Sequence, residues 1–72
     1  MTGIEKAIQR AGSMAAIADD LGVRPQSVFK WRDRGYVPVD RVVEMEARYG
    51  IDRKELIDPK LADLLERPFE GE

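Results

Sequence analysis

Between positions 24 and 34 the chain gathers Arg24, Lys30, Arg32 and Arg34 against the single carboxylate of Asp33, interleaved with Gln26, Ser27 and Phe29. Side chains of these types suit non-covalent recognition. From one helix in the major groove of B-DNA, a glutamine amide can form two hydrogen bonds with adenine, a lysine can donate to guanine, and an aromatic ring can touch a thymine methyl. Gln26 and Lys30, four residues apart, share one helical face, and are the leading candidates for base contacts. Arg24, Ser27 and Phe29 flank them as further candidates, whereas Arg32 and Arg34 suit phosphates. The N-terminal part of a helix docked in this way reaches base edges, so Arg24, Gln26 and Ser27 should weigh more in sequence choice than Arg34. For Phe29 a packing contact fits as well as a DNA contact, and plain solvation competes for the two arginines.

Other chemistries are poorly supplied. The 72 residues contain no histidine and no cysteine, which removes the commonest proton shuttle near neutral pH and the commonest transition-metal ligands. No loop repeats the alternating acidic pattern of a calcium site. Neither a catalytic centre, a metal site nor a cofactor is therefore expected. Asp19, Asp20, Glu44 and Glu46 read as solvent-facing helix positions, not as paired catalytic carboxylates. Glu5, Lys6 and Arg10 interrupt the start of the chain, which predicts neither a signal peptide nor a membrane span, and hence a cytoplasmic protein. The net charge of −2 by itself disfavours nucleic acid. Its distribution reverses that: residues 1–54 hold ten Lys and Arg against eight Asp and Glu, net +2, while 55–72 hold two against six, net −4.

Short helices must position the basic segment. Ile4, Ala7, Ile8 and Ala11 follow helical spacing after a Thr2-x-x-Glu5 capping box, predicting a helix over about 3–11. Gly12 stops it and Ser13 can cap a second helix carrying Met14, Ile17, Ala18 and Leu21 up to Gly22. Pro25 suits a first helical position, and no breaker follows until Gly35, so a third helix fits 25 to 33 or 34, with Val28 and Trp31 inward. After Tyr36-Val37-Pro38, the apolar residues Val39, Val42, Val43, Met45, Ala47 and Tyr49 predict a fourth helix, ended by Gly50. Asp52 and Glu55 read as a second capping box with Ile51 and Leu56 as its staple, giving a short fifth helix. Asp58-Pro59 opens a sixth, with a Leu61, Leu64 and Leu65 stripe before Pro68.

Helices two and three with their tight turn meet the requirements of a helix-turn-helix. Ala18 stands where the two helices cross, Gly22 permits a positive φ, and Val23, Val28 and Trp31 close the core. Free backbone N–H groups near Ser13 and Met14, at the start of the second helix, can hold a phosphate. The fold class expected is an all-α bundle of about five to six short helices.

The strings Gly12-Ser13-Met14-Ala15-Ala16-Ile17-Ala18, Leu21-Gly22-Val23, Val28-x-Lys30-Trp31 and Gly35-Tyr36-Val37-Pro38, with Arg41-Val42-x-x-Met45-Glu46 after them, resemble the Cro-type phage repressors and their YdaS-like prophage relatives over roughly residues 4–57. The resemblance implies a lambda-repressor-like DNA-binding fold and a repressor that occupies a pseudo-symmetric, palindromic operator on double-stranded DNA as a homodimer, encoded by a phage or prophage in a bacterial host. Some YdaS-like members are described as antitoxins. Two positions depart from the pattern. Met14 stands where many relatives carry a glutamine able to reach a phosphate, and Arg24 stands where they carry a small capping serine, so operator preference should differ.

Residues 1–58 are thus expected to form the DNA-binding domain, and 59–72 an acidic helix and tail, part of the same domain or a dimerisation extension. Leu56, Leu61, Leu64, Leu65 and Phe69 offer a pairing surface or, equally, intramolecular core. A rival reading makes the chain a protein-interaction module, antitoxin-like, whose acidic C-terminal segment holds a basic protein partner.

Overall fold

The computed structural model describes residues 1–66, which form α1 (Gly3–Ala11), α2 (Met14–Leu21), α3 (Pro25–Arg34), α4 (Val39–Tyr49), a 3-10 turn (Arg53–Glu55) and α5 (Pro59–Glu66). Among the described residues there is no strand, so the fold is the expected small all-α bundle. No helix there is long and apolar enough to cross a membrane. Phe69 and the remainder of 67–72 lie outside the described residues, as does the side chain of Leu65.

The helix boundaries follow from local chemistry. Thr2 and Glu5 form the capping box of α1, each side chain bonded to the other's backbone N–H. That bond to the Thr2 N–H holds the Glu5 carboxyl below its ordinary range. Ser13 caps α2 through the Ala16 N–H at 3.0 Å, and Asp58 caps α5 through the Lys60 N–H at 2.9 Å. The second capping box does not form. The Asp52 side chain accepts from Lys54 N–H, and Glu55 is drawn instead to Lys6, on the first helix. A tertiary ion pair thus outcompetes the local contact, and the segment closes as one 3-10 turn held by bonds from Glu55 and Leu56 N–H to the Asp52 and Arg53 carbonyls.

One core unites these elements. Ile4 and Ala7 of α1, Ile17, Ala18 and Leu21 of α2, Val28 and Trp31 of α3, and Val42 and Met45 of α4 are buried together with Val37, Ile51, Leu56 and Ile57. Leu56 is fully enclosed and belongs to this core, which removes it from the candidate pairing surface. Gly3 makes a close approach possible: a Cβ there would lie 2.3 Å from the Glu55 carbonyl oxygen. Three polar ties fix α4. Arg10 donates to the carbonyls of Tyr49 and Gly50 at the C-terminus of α4. The Tyr49 hydroxyl donates to Asp20 on α2 at 2.8 Å, and burial together with that carboxylate pushes its pKa up to about 12. Glu46 accepts from the Arg53 guanidinium, which holds its carboxyl below the ordinary range.

Candidate nucleic-acid interface

The α2–α3 unit is locked by its turn. Gly22, in the left-handed region at φ 69°, gives its N–H to the Ala18 and Asp19 carbonyls, and the Val23 N–H bonds back to the Ala18 carbonyl at 2.9 Å. This pair of bonds satisfies carbonyls that the end of α2 leaves unpaired and reverses the chain within three residues. Any side chain at position 22 would add left-handed backbone strain. Ala18, 3% exposed, leaves room for α3 to pack on α2, and Val28 and Trp31 fill the space beneath. Burying such side chains contributes roughly 1.5–3 kcal/mol each. All four structural positions expected of the motif are therefore in the core or, for Gly22, in its turn.

With Val28 and Trp31 inward, the opposite face of α3 is set. Gln26, Phe29 and Lys30 are exposed along it, with Arg24 exposed just before its first turn. Ser27 is half-buried, on the flank of that face. Arg24 has an extended backbone but no side-chain cap bond to α3, so its guanidinium is not used to cap the helix. Asp33 lies on the same face as Gln26 and Lys30, seven and three residues on, and is exposed. Its place on that face follows from the 3.6-residue period and was readable from the sequence.

The two arginines at the end of α3 are less free than their charge implies. Arg32 stacks its guanidinium over the Phe29 ring, 5.2 Å from the centroid. Arg34 lies over Tyr36 at 4.5 Å and donates through Nε to the Tyr36 carbonyl at 3.3 Å. These distances fall within the range of cation–π attraction. The i,i+3 and i,i+2 spacing of arginine and aromatic was the sequence signal for both contacts. Phe29 is thereby partly covered while remaining about half exposed.

At the start of α2 the Ser13 hydroxyl accepts the Ala16 N–H, and the Ser13 carbonyl takes the Ile17 N–H. A helix leaves its first N–H groups without intrahelical partners, so those of Ser13, Met14 and Ala15 are the donors at this end. All three residues are at least partly accessible, and the Met14 thioether contributes packing, not a donor. The structure thus brings Arg24, Gln26, Phe29 and Lys30 onto one open face, sets Ser27 at its side, and directs Arg32 and Arg34 toward neighbouring rings. No group of three or more His, Cys, Asp or Glu side chains able to hold a metal ion occurs among the described residues.

No curated protein and no solved structure matches the chain. A family model does: the one described as bacterial toxin YdaS matches residues 4–57. The matched span runs from the second residue of α1 through α4 and the 3-10 turn and ends before α5. It contains every residue of the helix-turn-helix and of the exposed face on α3, and on that match the chain belongs to the YdaS family.

Proposed function

We propose that this protein is a sequence-specific regulator that binds duplex DNA, a Cro-like repressor of a phage or prophage operator in the bacterial cytoplasm, with α3 in the major groove. The observation that carries the reading is the α3 face, where Gln26 and Lys30 stand exposed and four residues apart on a helix rigidly held by its turn to α2. In this role Gln26 and Lys30 contact base edges with Arg24, Ser27 and Phe29 beside them, while the N–H groups at Ser13 and Met14 and the guanidinium groups of Arg32 and Arg34 meet phosphates. Arg32 keeps its outer N–H donors while stacked on Phe29, so that pair can act as one unit against the groove wall. Repression is steric and involves no catalysis or cofactor. Half-sites about 34 Å apart on a palindrome follow if two copies bind together.

Selection of bound duplexes from a random pool tests this. The wild-type protein should enrich a palindrome, and Gln26→Ala and Lys30→Ala should relax it. Absence of enrichment at low salt would reject the reading. A second reading, a protein-interaction module, draws support from the net charge of −4 over residues 55–72 and from a family description that names a toxin. Deleting residues 59–72 separates the two: loss of a basic protein partner with DNA binding retained would assign partner recognition to the C-terminal segment.

A further inference from the structure

Among the described residues, Phe29 is the only large hydrophobic side chain left exposed on α2 or α3, at 49%. It belongs neither to the buried core nor to the partly buried residues packed against that core. Its ring instead carries the Arg32 guanidinium, 5.2 Å from the centroid. Exposure of one ring is ordinary by itself, whereas its place on the helix is informative. At about 100° per residue, Phe29 stands about 60° to one side of Gln26, Arg32 stands about 60° beyond it, and Lys30 stands about 40° to the other side. Round the outward face of α3 the order is therefore guanidinium, ring, amide and ammonium. Across the major groove, starting from the pyrimidine strand, a base pair presents a phosphate, the C5 position of the pyrimidine and then the hydrogen-bonding atoms of both bases. The two orders coincide, with the ring opposite C5.

We propose that Phe29, held by Arg32, reads the C5 methyl group of a pyrimidine, thymine or 5-methylcytosine alike, so that the protein distinguishes methylated from unmethylated cytosine in duplex DNA. A phenyl ring has neither donor nor acceptor for the exocyclic groups, so it cannot tell the O4 of thymine from the amino group of cytosine by pairing. What it senses is whether a methyl group fills the space between ring and base. Thymine always carries that methyl, and cytosine carries it only after modification. Arg32 acts as a positioning residue: its guanidinium covers the ring and limits its rotation, while its charge serves the phosphate of the same strand. Lysine at position 32 keeps that charge but not the planar stack. The proposal rests on the operator reading and adds to it a dependence on a covalent mark of the DNA.

Fluorescence anisotropy of the unaltered protein on resynthesised versions of the duplex enriched from a random pool reads the outcome. Uracil replaces thymine one position at a time, which removes a methyl group and nothing else. At one position per half-site this should weaken binding about fourfold, the equivalent of one buried methyl group. At that same position 5-methylcytosine should bind about fourfold tighter than cytosine. Phe29→Ala should bring both ratios to about one, and its circular dichroism should stay helical because the ring lies outside the core. Arg32→Lys should reduce both ratios with little change in the salt dependence of binding. Equal affinity for uracil and thymine at every position, and for cytosine and 5-methylcytosine, would overturn the proposal and leave the operator reading standing. Ratios that survive Phe29→Ala would overturn it as well. Selection that enriches no duplex at all would reject both.

Discussion

Asp33 is the side chain whose position runs against the rest of its face. It lies in line with Gln26 and Lys30, and the neighbouring Arg32 and Arg34 are turned to the rings of Phe29 and Tyr36. In the docking proposed above, a carboxylate near the C-terminal end of α3 would meet the phosphate backbone, where like charge repels. Asp33→Asn should therefore tighten binding to all duplexes alike, by about two- to fivefold at low salt, with the gain shrinking as salt screens it. Fluorescence anisotropy against specific and random duplexes reads this. If Asp33 instead accepts from a cytosine amino group, the same substitution should weaken binding to one base pair only. Lys30→Ala and Gln26→Ala divide differently. The first should lower the salt dependence by about one counterion if Lys30 also touches a phosphate, and the second should cost roughly 1–3 kcal/mol of discrimination with the salt dependence intact.

At the scale of the helices, two contacts fix elements of the bundle that holds α3. Ser13 fixes the start of α2, and Ser13→Ala should cost about 1 kcal/mol in denaturant unfolding through loss of the bond to Ala16 N–H. Gly3 fixes α1 against the 3-10 turn. Gly3→Ala forces a Cβ into the Glu55 carbonyl, which is backbone and cannot rotate aside, so the variant should be less stable by about 1–3 kcal/mol. A Gly3→Ala variant as stable as the wild type would show that α1 and the turn can separate freely. The helix starts were legible because their caps are local: Thr2, Ser13 and Asp58 act within three residues. The expected box at Asp52 and Glu55 failed because Glu55 had a distant rival partner in Lys6, and no local pattern contains that pair.

For the molecule as a whole, stability should have a plateau bounded by named groups. The Glu5 and Glu46 carboxyls titrate below their ordinary value of 4.5 in the fold, so their contribution is present above that pH and is lost as pH falls through the lowered values. Tyr49 has the opposite sign. Its pKa is raised from 10.0 to about 12, so its contribution is present below pH 10.0 and is lost as pH rises toward 12. Urea midpoints across the pH range should fall at both ends, and Tyr49→Phe should flatten the alkaline side. The charge division acts at this scale too. The basic residues of α3 and the acidic residues after position 54 belong to one small chain, so under the proposed function DNA binding should depend steeply on salt even though the net charge is −2.

The sequence by itself determined the five α-helices and their ends, though not the 3-10 form of Arg53–Glu55, together with the tight turn at Gly22 and the identity of the outward residues on α3, because each rests on interactions spanning at most a few residues. Gln26 and Lys30 had to face away once Val28 and Trp31 faced the core. Tertiary structure alone decided which apolar residues the core could accommodate. Val39 and Val43 carry the same side chain as the buried Val42, and Leu61 and Leu64 the same as the buried Leu56, yet only the packing of α1 onto α4 and of the 3-10 turn beneath them separates the enclosed from the exposed. Burial is a property of three-dimensional neighbours, so residue type gives apolar character but not the side on which it is spent. Arg32 and Arg34 fall on the other side of that division, because the rings that set their direction stand three and two residues away and the spacing already contained both contacts.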